Sequence, residues 1–293
     1  MRPGRPEDLG QIVELFRHEV EVGRQDSAPS ESRTRARLAR FDWSGKSRVI
    51  EHNGHLEGAV LVVARPGPDG LLADVYAAGQ GDAYIDAVEW GVLFAQAAGA
   101  TIVHTMTARS RGDGLERLGL RRARPWWRMD RSLGDSLPDV APVPGYELVD
   151  GTRAAPGLWT EMFNRSFADH WRFAPRSEAE IVGGKPAELC IMAVTSTTRA
   201  PAAITLGETE EFGGDPRPQP VGLISSVGTV PEHRRRGLAG WLVAEEMRRL
   251  RDFGAQHASL YVDGLNPMRA YDVYGKLGFE VVYEAEVWEA SFR

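Results

Sequence analysis

The chain has 293 residues, 42% of them hydrophobic, which is enough for one large or two ordinary folded domains and excludes a largely disordered protein. Its formal net charge of −6 argues against a protein devoted to nucleic acids. The single cysteine, Cys190, excludes an intrachain disulfide and a cysteine-based metal site.

The hydrophobic segments are too short for a membrane protein. None approaches the roughly 18 apolar residues of a membrane helix, and the N-terminus has no signal-peptide core. Cys190 stands in an apolar run and is predicted to be a small core residue. These features predict a soluble, cytoplasmic protein that uses no metal and has neither a membrane nor a nucleic acid as its partner.

The first half of the chain alternates helix and strand patterns. Apolar residues recur at helical spacing from Leu9, and an Asn53-Gly54 pair between two apolar runs is typical of a hairpin. The predicted elements, in chain order, are a helix around 9–16, the hairpin at 49–63, a helix at 83–98, a strand at 101–105 and a closing segment, ERLGL, at 116–120.

A proline-rich stretch at 133–145 is predicted to link this half to a second one. The second half repeats the pattern and closes with GKLGF at 275–279, so the chain is predicted to hold two related domains in tandem. Its predicted elements are a strand at 146–149, a helix at 155–167, strands at 190–196, 202–206 and 221–227, a long helix that ends near Gly254, a strand at 260–262, a helix at 266–276 and strands at 280–283 and 286–292.

The stretch VPEHRRRGLAG, at 230–240, joins a predicted strand to the long helix. A strand, a glycine-containing loop and a helix N-terminus together suit a diphosphate, because the first backbone N–H groups of the helix are unpaired and carry the positive end of its dipole. Gly237 and Gly240 let the backbone approach the ligand, and the arginines add charge-assisted bonds. No Gly-Lys-Ser/Thr follows, which excludes a Walker P-loop.

Arg234, Gly237 and Ala239 fit the signature Arg/Gln-x-x-Gly-x-Gly/Ala of the GNAT superfamily, the acyl-CoA-dependent N-acyltransferases, which this sequence resembles. The resemblance covers the second half well and the first half weakly. It continues downstream of the loop in five residues whose order and spacing match the family: Asn266, Ala270, Tyr274, Gly278 and Phe279.

The resemblance implies an α/β (α+β) fold of two tandem GNAT-like domains, at 1–135 and 144–293, each with a mixed, mostly antiparallel sheet flanked by helices. It also implies acetyl-CoA as co-substrate, with its pantetheine arm between splayed strands four and five. The residues implied to hold acetyl-CoA are Val227, Gly228, Thr229 and Val230 along the strand, Arg234, Arg235, Arg236, Gly237, Leu238, Ala239 and Gly240 at the loop, and Asn266 and Tyr271 beyond it.

Tyr274 is implied to be the general acid that protonates the leaving thiolate. A phenol with a pKa of about 10 can donate a proton to a thiolate whose conjugate acid has a pKa near 8.5. The acceptor amine also needs a base, and the predicted strand 221–227 contains no acidic residue. The candidates are Glu208, His170, and Ser225 or Ser226 acting through a water molecule.

The segment FNRSFADHWRF, at 163–173, lies where GNAT enzymes form part of the acceptor site. Asp169, His170 and Trp171 offer a charge, a titratable ring and an aromatic wall to a cationic acceptor, and Ser225 is a further candidate contact. The alternative is a surface turn with a buried Trp171. The acidic stretch TEEFGGDP, at 209–216, either favours a cationic acceptor or is a solvated loop.

The first half lacks the residues of this chemistry. Leu115 stands at the position of Tyr274, and Thr107 stands at the position of Asn266. The loop AAGQGDAY, at 77–84, has no arginine, and Asp82 would repel a diphosphate. The first domain is therefore predicted to be inactive.

The predicted function is N-acetylation of a primary amine on a small molecule or peptide, such as an amino sugar, an antibiotic or other natural product, or a peptide N-terminus. Three alternatives stay open. The tandem arrangement resembles the mycothiol synthase type, which acetylates a thiol-sugar conjugate, although Leu223 stands where that type has an acid. The other two are a non-catalytic CoA-binding protein and nucleic-acid binding through Arg234–Arg236. A monomer built as a pseudo-dimer, or a weak homodimer, is expected.

Overall fold

A computed structural model describes residues 1–112, 114–134, 136–211 and 217–292, with the side chain of Arg33 left out. The chain forms two compact units that do not follow the order of the sequence strictly. The first unit contains Met1–Trp126 together with the chain from Tyr283 onward, and the second contains Trp127–Glu210 and Arg217–Val282.

The sheet of the first unit has the strand order β1-β2-β3-β4-β5-β12. Its pairs are antiparallel except for β4 with β5. The elements of this unit are β1 (Arg2–Pro3), α1 (Leu9–Glu21), α2 (Glu31–Arg37), α3 (Trp43–Lys46), β2 (Ser47–His52), β3 (His55–Gly67), β4 (Gly70–Gly79), α4 (Asp82–Ala97), β5 (Ala100–Ala108), the start of β6 (Arg121–Ser132) and most of β12 (Glu280–Ser291).

The sheet of the second unit has the order β6-β11-β10-β9-β8-β7, and β10 with β11 is a parallel pair. The elements of this unit are the end of β6, β7 (Tyr146–Asp150), α5 (Leu158–Phe167), α6 (Glu178–Val182), β8 (Cys190–Thr195), β9 (Pro201–Glu210), β10 (Val221–Thr229), α7 (Leu238–Asp252), β11 (His257–Asp263), α8 (Ala270–Lys276) and the start of β12.

The predicted fold class is confirmed, since each unit has a mixed, mostly antiparallel sheet flanked by helices. The hairpin turn at Asn53-Gly54 is also confirmed, because both residues have the positive φ angles, 49° and 81°, that this tight turn requires. Cys190 is buried, as expected, and burial raises the pKa of its thiol to about 12, so it is not a ready nucleophile.

Some predicted elements were wrong. The predicted strands at 280–283 and 286–292 are one strand, β12, because its pairing with β5 runs without a break from Ala285 to Ser291. The predicted helix at 266–276 begins only at Ala270. The strands β4 and β6 and the short helices α2, α3 and α6 were not predicted. No helix among the described residues is long and apolar enough to cross a membrane.

Glu246, on the face of α7 that packs against the sheet, is an unusual core residue. It is fully buried, and its two carboxylate oxygens have no hydrogen-bond partner among the described residues. Gly207 of β9 leaves space for the carboxyl group, because a Cβ at that position would overlap Oε1 of Glu246. Burial raises the pKa of Glu246 well above its usual value, so the folded chain keeps this side chain protonated.

We expect Glu246→Met to raise the free energy of unfolding by about 1–3 kcal/mol, the usual cost of a buried polar group without a partner. The contribution of Glu246 is greatest below its unfolded-state pKa and is lost as the pH rises toward the folded-state pKa, so the gain should grow from pH 5 to pH 8. Urea unfolding across this range measures it. Glu246→Gln is the control: it removes the titration but leaves an unpaired amide, so it should flatten the pH dependence with a smaller gain. A Met variant less stable than the wild type would contradict the expectation.

Candidate active site

The two parallel strands of the second unit separate where the sequence placed the cofactor. β10 pairs with β11 only at Gly222–Ile224, whereas it pairs with β9 as far as Thr229. Ser225 is the extra residue of a β-bulge between Ile224 and Ser226. Beyond this bulge, the edge of β10 that faces β11 has no strand partner among the described pairs, so its backbone groups are available to a ligand.

The free end of β10 is packed on both faces. Gly228 faces α5, where a Cβ atom would come within 2.8 Å of the side chains of Ser166 and Phe167. Only glycine therefore allows α5 to approach this strand so closely. On the other face, Val227 packs against the cluster that contains Tyr274. Val230, just after the strand, is buried, and its N–H donates to the carbonyl of Ala202 at 3.1 Å.

The loop after β10 carries two residues in the left-handed region, Arg235 with φ 60° and Gly237 with φ 87°. Gly237 is the N-cap of α7, and Leu238 is the buried first residue of that helix. Ala239 and Gly240 form its first turn, and only Val273 lies within 4 Å of a Cβ placed on Gly240. The open space in front of this helix N-terminus suits an anion.

The three arginines of the loop have different surroundings. Arg235 is exposed and has no hydrogen bond or ion pair among the described residues, so it remains available to a diphosphate. Arg236 donates to the hydroxyl of Tyr146 at 3.3 Å and to the carbonyl of Glu232 at 3.2 Å. The Tyr146 hydroxyl also bonds Nδ1 of His233 at 2.8 Å, which braces the loop from β7.

The Arg234 side chain is engaged within the protein rather than aimed at the loop opening. Its guanidinium group forms a bidentate ion pair with Asp169, at 2.6 and 2.9 Å. It also donates to the carbonyls of Thr229, at 3.1 Å, and Ser166, at 3.2 Å. The ion pair lowers the pKa of Asp169. A predicted cofactor residue and a predicted acceptor residue are thus bound to each other.

Tyr274 lies on α8 with its ring buried, 6% exposed, and edge-on to Phe279. Its hydroxyl makes no hydrogen bond within the described residues, so a ligand can be its partner. Burial raises the pKa of the phenol, which therefore stays protonated at neutral and mildly alkaline pH. A hydroxyl that stays protonated, in the same hydrophobic cluster as Val227 of β10, has a property that a general acid requires.

The neighbours of Tyr274 in sequence occupy other positions. Asn266 does not cap α8, whose N-cap is Arg269; instead Oδ1 of Asn266 accepts from the N–H of Met268 at 2.8 Å in the preceding turn. Tyr271 packs its ring edge-on to Trp127, with the ring centroids 5.3 Å apart. Both of these contacts are local or structural ones.

The candidate base Glu208 lies on β9 directly opposite Leu223 of β10. Its neighbour Gly207 faces α7, so the side chain of Glu208 points to the other face of the sheet. There it forms a nearly buried ion pair with Lys185, at 2.6 Å. Lys185 was not predicted, because a lysine in the turn GGKP gives no periodic signal. This ion pair occupies Oε1 of Glu208, the atom that would have to accept the proton of the amine or of a bridging water.

The other predicted acceptor residues surround the end of α5. His170 is exposed, and its ring lies edge-on to Phe167 with the centroids 4.8 Å apart. Trp171 is half-buried below the guanidinium of Arg172. Ser225 donates from its hydroxyl to the carbonyl of Leu206 at 3.1 Å. Residues 212–216, in the acidic stretch, lie outside the described residues.

The corresponding cleft of the first unit is filled by its own chain. β4 and β5 also separate, after Asp74. Arg24 lies over the Tyr84 ring at 4.2 Å and pairs with the buried Glu19 at 2.8 Å. Glu19 accepts from the N–H of Gly79, at the end of β4 and 2.9 Å away. The backbone carbonyl of Arg24 accepts from the N–H of Ala108 at 2.8 Å, so this segment also covers the edge of β5.

Among the described residues, no group of histidine, cysteine, aspartate and glutamate side chains is arranged to hold a metal ion. The sequence model of the FR47-like protein family matches residues 204–289, which contain the separated strands, the loop and Tyr274.

Two solved structures share the fold over essentially the whole chain. A GCN5-related N-acetyltransferase from Sphaerobacter thermophilus is 20% identical, with a TM-score of 0.79 over 100% of this chain and 95% of that one. A tandem GNAT protein from the clavulanic acid biosynthesis pathway is 17% identical, with a TM-score of 0.71 over 99% and 97%. The fold is therefore that of tandem GNAT proteins.

Curated relatives bear the name mycothiol acetyltransferase. The protein from Kytococcus sedentarius is 31% identical over 57% of this chain and 59% of its own length. The protein from Thermobispora bispora is 30% identical over 55% of each chain, and that from Nocardia farcinica is 29% identical over 79% and 78%. The match to the first two spans little more than half of their length.

Proposed function

We propose that this chain, which has the fold of tandem GNAT proteins and whose residues 204–289 match the FR47-like family model, transfers the acetyl group of acetyl-CoA to a primary amine. The observation that carries the proposal is the meeting of three features at one strand end: an unpaired edge of β10, an open helix N-terminus beside the exposed Arg235, and the unpartnered hydroxyl of Tyr274. The GNAT fold and the mycothiol acetyltransferase relatives support it.

In this proposal acetyl-CoA is a substrate whose diphosphate is bound by the N–H groups at the start of α7 and by Arg235. Its pantetheine arm lies along the free edge of β10, where a backbone N–H stabilises the oxyanion that forms at the thioester carbonyl. The neutral amine attacks this carbonyl carbon, a general base takes the proton that the nitrogen loses, the C–S bond breaks, and Tyr274 gives its proton to the thiolate. The leaving group therefore departs as a neutral thiol.

The general base stays a proposal with two candidates. Glu208 is held by Lys185, whereas His170 is exposed at the end of α5 and near the acceptor segment. A neutral imidazole can accept a proton on its ring nitrogen, whereas the carboxylate of Glu208 is already engaged by Lys185. We therefore favour His170, and the pH profiles of His170→Ala and Glu208→Gln would separate the two.

The proposed acceptor is a small molecule or peptide with a primary amine. The names of the relatives favour, as the second candidate, the acetylation of a thiol-sugar conjugate. One structural point agrees with it: Glu208 lies across from Leu223, so a carboxylate is present at this level of the sheet, one strand away from its position in the mycothiol synthase type. Steady-state rates on a panel that includes this conjugate, simple amino sugars and peptide N-termini decide between them.

One acetyl-CoA per chain is the expected stoichiometry, because Arg24 and Glu19 fill the cleft of the first unit. Calorimetric titration of acetyl-CoA into the purified chain measures it. Two equivalent sites would overturn the proposed inactivity of the first unit. No binding at all would remove the enzyme proposal, and binding without turnover on any amine would favour a CoA-binding protein. The proposed monomer is checked in the same sample by its mass in solution.

A further inference from the structure

The loop that is proposed to bind the diphosphate is cross-braced to the segment that is proposed to bind the acceptor. The bidentate pair between Arg234 and Asp169 connects the loop at 230–240 to the turn after α5. A second ion pair, of opposite polarity, joins Arg165 of α5 to Glu232 in the same loop, at 2.7 Å. Two ion pairs thus connect the same two segments.

Arg234 is less exposed, and makes more hydrogen bonds, than an arginine in an ordinary surface ion pair. Its side chain is only 19% exposed, and the same guanidinium also donates to the carbonyl of Thr229, the last residue of β10, and to the carbonyl of Ser166 in α5. One planar group therefore joins the end of the strand, the helix and the turn. A bidentate, charge-assisted contact of this kind fixes orientation as well as distance.

This inference rests on the proposed function. We propose that Arg234 and Asp169 are positioning residues: through their ion pair, the conformational order of the acceptor segment, 166–173, depends on the loop that holds the diphosphate. Arg234 acts on the acceptor rather than on acetyl-CoA, and Asp169 acts through Arg234 rather than as an anion for the substrate amine. When bound acetyl-CoA restricts the motion of the loop, the ion pair also restricts the motion of His170 and Trp171, which follow Asp169 in the sequence.

Two matched substitutions separate this role from a direct cofactor contact. Arg234→Gln keeps a hydrogen-bond donor that the family signature accepts, but it loses the ion pair. Asp169→Asn loses the same ion pair from the other side. Arg199→Gln is the control, because it breaks an exposed ion pair, with Glu147 at 2.5 Å, elsewhere in the same unit.

We expect Arg234→Gln and Asp169→Asn each to raise KM for the most active amine of the panel by roughly 3- to 10-fold, without a change in the Kd of acetyl-CoA. The double variant should be no worse than either single variant, since both remove one interaction. Arg199→Gln should change neither constant. If Arg234→Gln weakens acetyl-CoA binding while Asp169→Asn does not, Arg234 is a cofactor ligand and the proposal is wrong.

Amide hydrogen exchange tests the same idea without an acceptor. In the wild type, acetyl-CoA should slow exchange in 166–173 as well as in the loop; in both variants, the slowing should be confined to the loop. Equal slowing of 166–173 in wild type and variants would overturn the coupling. If the wild type does not bind acetyl-CoA, the proposed function is wrong. In that case, faster exchange of 166–173 in both ligand-free variants than in the wild type would still show that the Arg234–Asp169 ion pair orders this segment.

Discussion

Tyr274→Phe should lower kcat by roughly 10²- to 10⁴-fold, the usual contribution of a general acid, and leave the Kd of acetyl-CoA unchanged. The substitution removes only the hydroxyl, which has no partner among the described residues, so the packing of the ring on Phe279 is retained. The loss should come from the thiolate, which would have to leave without a proton. Single-turnover rates with acetyl-CoA measure the chemical step directly.

A change of leaving group tests this cause. The loss of kcat caused by Tyr274→Phe should be smaller with an acetyl thioester of a more acidic thiol, because the thiolate of such a thiol leaves more easily without a proton. Tyr84→Phe provides the control: it removes another buried tyrosine hydroxyl, in the first unit, and should leave kcat unchanged. An equal deficit with both thioesters would assign Tyr274 to another role.

Gly237→Glu should raise the Kd of acetyl-CoA by roughly 100-fold or more, which is about 3 kcal/mol. The new carboxylate would stand at the N-terminus of α7, where it repels the diphosphate and occupies its space. Protein atoms do not prevent the substitution, since the nearest atom to a Cβ at this position is in Val143, at the ordinary distance of 3.8 Å. Calorimetric titration measures the change.

The left-handed backbone at Gly237 is a separate effect and needs its own controls. Any residue with a Cβ costs about 1–2 kcal/mol in this conformation. Gly237→Ala should therefore lower stability but retain binding. Gly254→Glu carries the same strain at the other end of α7, where φ is 91° and no atom lies within 4 Å of a Cβ. If Gly254→Glu weakened binding as much as Gly237→Glu, the effect would come from the helix and not from the loop.

The parts of the site that follow a local pattern could be predicted from the sequence. The loop at 230–240 and α7 combine glycines with an amphipathic period, both of which are local. The bond between Arg234 and Asp169 could not be predicted, because it joins residues that are 65 positions apart. The same holds for Lys185 with Glu208 and for the filling of the first cleft by Arg24, since no local pattern encodes a partner that is brought near by the fold.

The strand predictions failed where pairing with a neighbouring strand, rather than the local sequence, determines the secondary structure. β12 was divided because Glu284 and Ala285 interrupt its apolar pattern, whereas the strand runs through both, and Ala285 already pairs with Ala108 of β5. β4 contains several alanines and glycines, which have low strand propensity, and it forms because β3 pairs with its whole length. The roles of the site residues toward acetyl-CoA and the amine stay predictions, which the experiments above address.

The last strand has a consequence for how the protein can be made. Trp288, on β12, is fully buried in the core of the first unit, while Met129, from before the predicted linker, is buried in the core of the second. During synthesis on the ribosome, the first unit therefore lacks a core strand until nearly all of the chain has emerged. A gene split within 136–145 would give two polypeptides that each lack part of their own core. Each unit therefore needs a segment from the other half of the sequence to complete its core.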